Sequence, residues 1–338
     1  MTIRYWKLSE DERRKIITEL KNRGRQTLHL ARKRVLEDTI VDPTARKTLR
    51  KCVSSWNKLA QPWLLSLACE SVGGETSIAN RLSTGLILLG GGLDLHDDII
   101  DKTLNKHGTR TCFGMYGPDR TMLAGDYLIV KGLTTFSRVA LASLPKRLAI
   151  KVIGILERAM IEMMDAESIE LGFRKNLEII PGEYLEMVVK KSADFEAYFR
   201  IGAVLSDADL KTERSLSRFG RTLGVLVILR DDISDVIDPK LANNRLNNES
   251  YPLPILLALQ DAAVKSEMVR ILRRQSYSKQ DCRLLFDLVY KGNGLKKMEE
   301  TMLGFMTYAA KQLEEIQRKE PLETILKAVF PPFHVLTD

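Results

Sequence analysis

The residues best placed to do chemistry are two runs of aspartate. A largely apolar stretch, LILLGGGLDLH, leads into DDIID at 97–101, and a second, LGVLVILR, leads into DDISD at 231–235. Each run sets carboxylates at i, i+1 and i+4: Asp97, Asp98 and Asp101, then Asp231, Asp232 and Asp235, 134 residues further on. On a helix the first and last of each trio share a face. The apolar lead-in predicts that both helices are largely buried, and a buried group of anions is costly unless a cation compensates it. A hard divalent cation with oxygen ligands answers that need, and Mg²⁺ is the usual one where phosphate oxygens complete its shell. Around a diphosphate, such metals neutralise charge and stabilise the leaving group as Lewis acids. No Ser-His-Asp, Cys-His or GxxxxGK[ST] arrangement competes for the role, and His29, His96, His107 and His334 make no metal-binding spacing.

The elements that must position these clusters read as helices. The 11 prolines leave stretches such as 63–117 and 182–238 without any, and alternating strand-type runs are nearly absent. Turn signals at Asp42-Pro43, Gly73-Gly74, Gly114 to Pro118, Pro181-Gly182, Asp238-Pro239 with the Asn-rich stretch after it, and Gly292 to Gly294 divide the chain. Helices are predicted near 10–39, 59–72, 77–102, 119–141, 146–173, 183–206, 210–237, 253–274, 278–290 and 294–318. The expectation is one all-α domain spanning 1–338.

Composition is that of a globular protein, 44% hydrophobic and 28% charged. The net charge of +8 is uneven: residues 1–51 hold 15 Lys and Arg against 7 Asp and Glu, and the rest of the chain is balanced. This basic segment is predicted to be helical and peripheral, able to touch an anionic membrane surface transiently. No zinc-finger spacing, basic heptad region or aromatic-rich RNA-binding segment supports a nucleic-acid partner. Cys52, Cys69, Cys112 and Cys282 lie far apart without a CxxC pair, which predicts free thiols in a reducing compartment. The longest uncharged apolar run, Leu82 to Leu93, is too short to span a bilayer. A cytoplasmic protein is expected.

With its context, the paired clusters resemble the two aspartate-rich motifs of the trans-isoprenyl diphosphate synthases, the polyprenyl synthetase family. LHDDIID followed by Lys106, His107, Gly108 and Thr111 is similar to the family's LHDDIID…RRGxPT, and MLAGDY at 122–127 to its ILAGD segment. Lys191-Ser192 with Gly202-Ala203, and LPILL at 253–257, match further family segments in order and spacing. The resemblance implies long antiparallel helices around a central cavity, the isoprenoid synthase fold, usually as a homodimer. It also implies ionisation of an allylic prenyl diphosphate by Mg²⁺, three ions bound with the diphosphate, and attack of the cation on isopentenyl diphosphate. Asp97, Asp101 and Asp231 become the expected direct ligands, with Asp98, Asp232 and Asp235 in support. Lys191 is expected to contact the departing diphosphate, with help from the Ser192 hydroxyl. Gly92 and Leu93 would line the floor of the substrate tunnel, where an aromatic side chain stops chain growth. Glycine in a helix interior costs about 1 kcal/mol relative to alanine, so the Gly90–Gly92 triplet has a use: tunnel volume, close helix packing or a bend at the triplet.

The departures from the family cluster around the second substrate. GGKRxRP becomes WNKLAQP at 56–62, the double arginine becomes Lys106-His107, the histidine ahead of the first motif is Gly90, and the Phe-Gln pair is Val227-Ile228. A late lysine falls on Ser250. A diphosphate outside the metal cluster needs fixed cations, and Lys58, Lys106, His107 and Arg110 are those on offer. Three readings follow: a prenyltransferase with altered acceptor recognition, a class I terpene synthase derived from this fold, or a non-catalytic subunit regulating an active synthase. The six retained aspartates favour the first over the last.

Overall fold

A computed structural model describes residues 10–54, 56, 62–106 and 108–331, and apart from one small hairpin the described chain is built from helices. In chain order these are α1 (Glu10–Leu36), α2 (Pro43–Ser54), α3 (Pro62–Ser71), α4 (Ser77–Ile100), the strands β1 (Asn105–Lys106) and β2 (Thr109–Arg110), α5 (Cys112–Ser143), α6 (Lys146–Phe173), α7 (Pro181–Lys191) and α8 (Ala193–Leu205). There follow α9 (Leu210–Ile237), α10 (Pro239–Asn248), α11 (Leu253–Ala258), α12 (Ala262–Leu272), α13 (Lys279–Lys291), α14 (Gly294–Gln312) and α15 (Glu320–Val329). The described residues of 10–156 and 198–213 form one compact unit, and those of 157–197 and 214–331 another.

Two helices absent from the predicted set, α2 and α10, begin at the Asp-Pro pairs that read as turns. Asp42 accepts from Ala45 N at 2.6 Å and Asp238 from Lys240 N at 2.8 Å, each with proline at the first helical position. Aspartate as N-cap and proline at N1 make a helix start, so the same dipeptide marks the beginning of an element rather than a gap. The expected helix over 183–206 is broken at Ser192 and that over 253–274 at Asp261, which caps α12 through Ala263 N. α15 was not foreseen either.

In the amino-terminal unit α4 and α5 pack face to face through glycines seven residues apart, Gly85 and Gly92 on α4, Gly125 and Gly132 on α5. A Cβ at Gly92 would stand 2.7 Å from Gly125 O and from Ile129 Cγ1, and one at Gly85 2.8 Å from Gly132 O. Side chains on either helix would therefore push the backbones apart. The basic segment expected to be peripheral sends Leu28, Ala31 and Val35 of α1 into the core beside Ile87, Leu88 and Leu95 of α4. Among its described side chains Arg14, Lys15, Arg25, Lys33 and Arg34 are exposed, and half-buried Arg32 donates to the carbonyls of Val53 (2.9 Å) in α2 and Trp56 (2.6 Å) just beyond it.

The expectation of free thiols is overturned at one pair. α2 and the start of α5 bring Cys52 and Cys112 to a Cα separation of 6.1 Å, joined as a disulfide, while Cys69 and Cys282 are free and buried. Contact across 60 residues of chain is a tertiary fact that spacing does not encode. In the chain-entropy account a bridge over such a loop stabilises by about 4 kcal/mol. Thiol titration of the denatured, unreduced chain should therefore count the thiols of Cys69 and Cys282 only, and reduction should lower the melting temperature. Four titratable thiols without reductant would refute the bridge.

Candidate active site

The first motif closes α4. Asp101 N returns to Asp97 O at 2.8 Å and Thr103 N to Asp98 O at 2.9 Å, so the chain leaves the helix directly beneath its carboxylates. It then doubles back in the β1–β2 hairpin, whose turn needs Gly108 at φ +76°, in the left-handed region that favours glycine. Thr111 fixes the base of this hairpin: its hydroxyl donates to Thr103 O (2.6 Å) and accepts from Gly114 N (2.9 Å) at the start of α5. The hairpin delivers Lys106 to α4, where its Nζ lies 2.7 Å from Asp98 Oδ1 and 3.1 Å from Asp94 Oδ1. Burial works against the Lys106 charge, but Asp94, Asp98 and Asp97 outweigh it and hold its pKa above the ordinary value.

The trio is thereby divided. Asp98, 4% exposed, is the internal partner of Lys106, whereas Asp97 and Asp101 are only half-buried on the helix face they share. Lys106, expected to bind diphosphate, is engaged with carboxylates of α4. Arg110 is exposed at the hairpin's far strand. His96 pairs with Asp126 at 3.1 Å on α5. Lys58 and His107 lie outside the described residues. Gly92, expected at a tunnel floor, is buried with its Cβ direction filled by Gly125 O and Ile129 of α5; its neighbour Leu93 is half-buried.

The carboxyl-terminal unit divides its trio in the same way. Asp232, 2% exposed, accepts from Tyr184 OH at 2.9 Å to each oxygen and from Leu253 N at 3.1 Å, with Arg245 Nη2 3.5 Å from Oδ1. Burial pushes its carboxyl up to about 6, with Arg245 and these donors opposing. Burial likewise pushes Asp235 up to about 7, with Arg245 again opposing. Asp231 is exposed and paired with Arg230 at 2.9 Å.

Lys191, at the end of α7, points to α6: its Nζ pairs with Glu170 and lies 2.9 Å from Glu167 Oε2. Ser192, 1% exposed, donates to Val188 O at 2.8 Å and packs where a Cβ on Gly224 would come within 2.7 Å of its own Cβ. Its hydroxyl hydrogen is thus engaged at the helix end. Tyr184, Glu170 and Arg245 were missed in the sequence. The α10 start at Asp238-Pro239 was the available signal for Arg245, because it turns an Asn-rich loop into a helix with a defined inner face.

Among the described residues no three His, Cys, Asp or Glu side chains form a ready-made metal group. The donors still suit Mg²⁺, which takes one or two carboxylates and leaves the rest of its shell to water and phosphate oxygens.

Residues 42–289 match the family model described as polyprenyl synthetase. A geranylgeranyl diphosphate synthase of Sulfolobus acidocaldarius is 27% identical over 246 residues, 70% of this chain and 74% of that protein. A short chain isoprenyl diphosphate synthase of Methanothermobacter thermautotrophicus is 24% identical over 279 residues, 81% of each chain. Among solved structures, geranylgeranyl pyrophosphate synthetase from Pyrococcus horikoshii superposes with a TM-score of 0.81 at 22% identity, covering 94% of this chain and 98% of that one. A decaprenyl diphosphate synthase from Rhodobacter capsulatus gives 0.79 at 19%, with the same coverage. Both structural likenesses establish the isoprenoid synthase fold. With the model match spanning most of the chain and both aspartate motifs inside it, this protein belongs to the polyprenyl synthetase family.

Proposed function

We propose that the chain is a Mg²⁺-dependent prenyltransferase that ionises an allylic prenyl diphosphate and joins the resulting cation to an acceptor. One observation carries the reading. In both motifs the second aspartate is buried and held internally, Asp98 by Lys106 and Asp232 by Tyr184, Leu253 N and Arg245, while the i and i+4 carboxylates are the less buried pair of each trio. Asp97 and Asp101 in the one unit, and Asp231 and Asp235 in the other, are the residues that would hold Mg²⁺ for the diphosphate. The metal neutralises the diphosphate as a leaving group. Lys191 adds a fixed positive charge where negative charge grows on the departing oxygens.

Isopentenyl diphosphate is the family's acceptor, yet Leu59 and Gln61 stand where arginines grip it, and Gly90 and Ile228 replace further polar contacts. Weak binding of that substrate follows. Purified protein with Mg²⁺ and a twenty-carbon allylic diphosphate, with and without isopentenyl diphosphate, should yield an elongated diphosphate only in its presence, at a Michaelis constant well above micromolar. Leu59→Arg with Gln61→Arg should lower that constant. A micromolar value in the unmodified protein would refute the acceptor assignment. Diphosphate release with a cyclised or hydroxylated product in its absence would point to a terpene synthase.

A homodimer completes the reading, while the Cys52–Cys112 bridge removes the free-thiol argument for a cytoplasmic setting. Leu123, Val130 and Leu141 are 66%, 61% and 58% exposed along one stripe of α5, which supports burial against a second copy. No described helix is long and apolar enough to cross a membrane.

A further inference from the structure

One guanidinium in the carboxyl-terminal unit is surrounded by more acceptors than an ion pair requires. Arg245 on α10 has a side chain 12% exposed. Its Nη2 donates to Tyr184 OH (3.0 Å), Glu170 Oε1 (3.3 Å) and Ser250 Oγ (3.3 Å), and its Nε donates to Ser250 O (3.0 Å). Nη1 pairs with Glu249 on the next turn. Glu170, 5% exposed, is thus shared between two cations: Oε2 goes to Lys191, while Oε1 takes Arg245 and a 2.7 Å bond donated by the Ser250 hydroxyl. Burial alone would raise the Glu170 pKa, but Lys191 and Arg245 bring it down to about 2, so it stays an anion.

This sharing bears on how Lys191 reaches a substrate. Lys191 cannot place its charge on a diphosphate without loosening its hold on Glu167 and Glu170, and Glu170, the more buried of the two, is the carboxylate for which desertion by its cation is strongly unfavourable. Arg245 and Ser250 occupy the other oxygen, so Glu170 remains compensated when Lys191 leaves. Position 250 is where the family pattern carries a lysine; here a serine hydroxyl fills that place and the positive charge comes from Arg245, five residues earlier. A guanidinium suits the task, since its planar fork reaches several oxygens at once.

We propose that Arg245 is a positioning residue that retains Glu170 and so releases Lys191 to the allylic diphosphate. The assignment rests on the prenyltransferase reading. It makes Glu170 a competitor of the substrate for Lys191 and Arg245 a relief of that competition, which gives opposite signs to two substitutions in one network.

A double-mutant cycle on the full chain tests it. Binding of an unreactive allylic thiolodiphosphate would be measured by calorimetry with Mg²⁺ present, alongside KM, kcat and thermal melting. Glu170→Gln should tighten analogue binding about threefold or more, because Lys191 then has one full anion to leave, Glu167, instead of two. Arg245→Gln should weaken binding about tenfold and raise KM more than it lowers kcat. Arg245→Gln combined with Glu170→Gln should return affinity to within about threefold of the unmodified protein. Unchanged or weaker binding in Glu170→Gln overturns the proposal whether or not the arginine variants fold, and so does a folded double variant as weak as Arg245→Gln alone. Unmodified protein that binds no allylic analogue at all would overturn the prenyltransferase reading together with this one.

Discussion

Asp97→Ala or Asp231→Ala is expected to remove roughly a hundred-fold or more of prenyl diphosphate turnover while leaving the melting temperature nearly unchanged. Losing a single preorganised group that stabilises developing charge typically costs about 10²–10³ in rate. Both residues stand on the more accessible side of their motifs, so little packing is lost with them. Asp232→Ala should behave in the opposite way. Its carboxylate, 2% exposed, is the acceptor for Tyr184, Leu253 N and Arg245, and breaking a buried pair by removing one partner costs about 3–5 kcal/mol. The measurement pairs product formation under matched Mg²⁺ with thermal melting of each variant. Full turnover in Asp97→Ala or Asp231→Ala would sink the metal assignment. A fully stable Asp232→Ala would show that the anchor is unimportant.

The second large effect is expected at Gly92. With Gly125 O and Ile129 Cγ1 each 2.7 Å from where its Cβ would sit, even alanine forces α4 and α5 apart. Overpacking of this kind costs about 1–3 kcal/mol, and Gly92→Ala should melt several degrees lower. Gly92→Phe should yield little folded protein. Melting curves and soluble yield decide the matter. A Gly92→Phe chain that folds normally and makes a shorter product would instead restore the tunnel role that the position of Gly92 before the first motif suggests.

What the sequence determined alone was the local and periodic part of the protein. Apolar runs of helical length produced α4, α6 and α9, and with them two aspartate trios at a spacing that divides each trio between faces. Such features follow from 3.6 residues per turn and need no distant partner. The caps of α2 and α10 were equally local; Asp-Pro there reads correctly once proline is taken as a first helical residue. Tertiary structure alone decided which members of each trio are anchors. Lys106 meets Asp98 because a hairpin folds back, and Arg245 meets Glu170, 75 residues away, because the fold brings α10 and the carboxyl-terminal part of α6 into the same unit. The same holds for the Cys52–Cys112 bridge and for Gly92, whose missing side chain is required by a neighbouring helix. Ion pairs and close backbone contacts depend on which helix faces lie together. Hydrophobic burial sets those faces non-directionally, through area removed from water, so the partner of a given charge is chosen by packing and not by its neighbours in the chain.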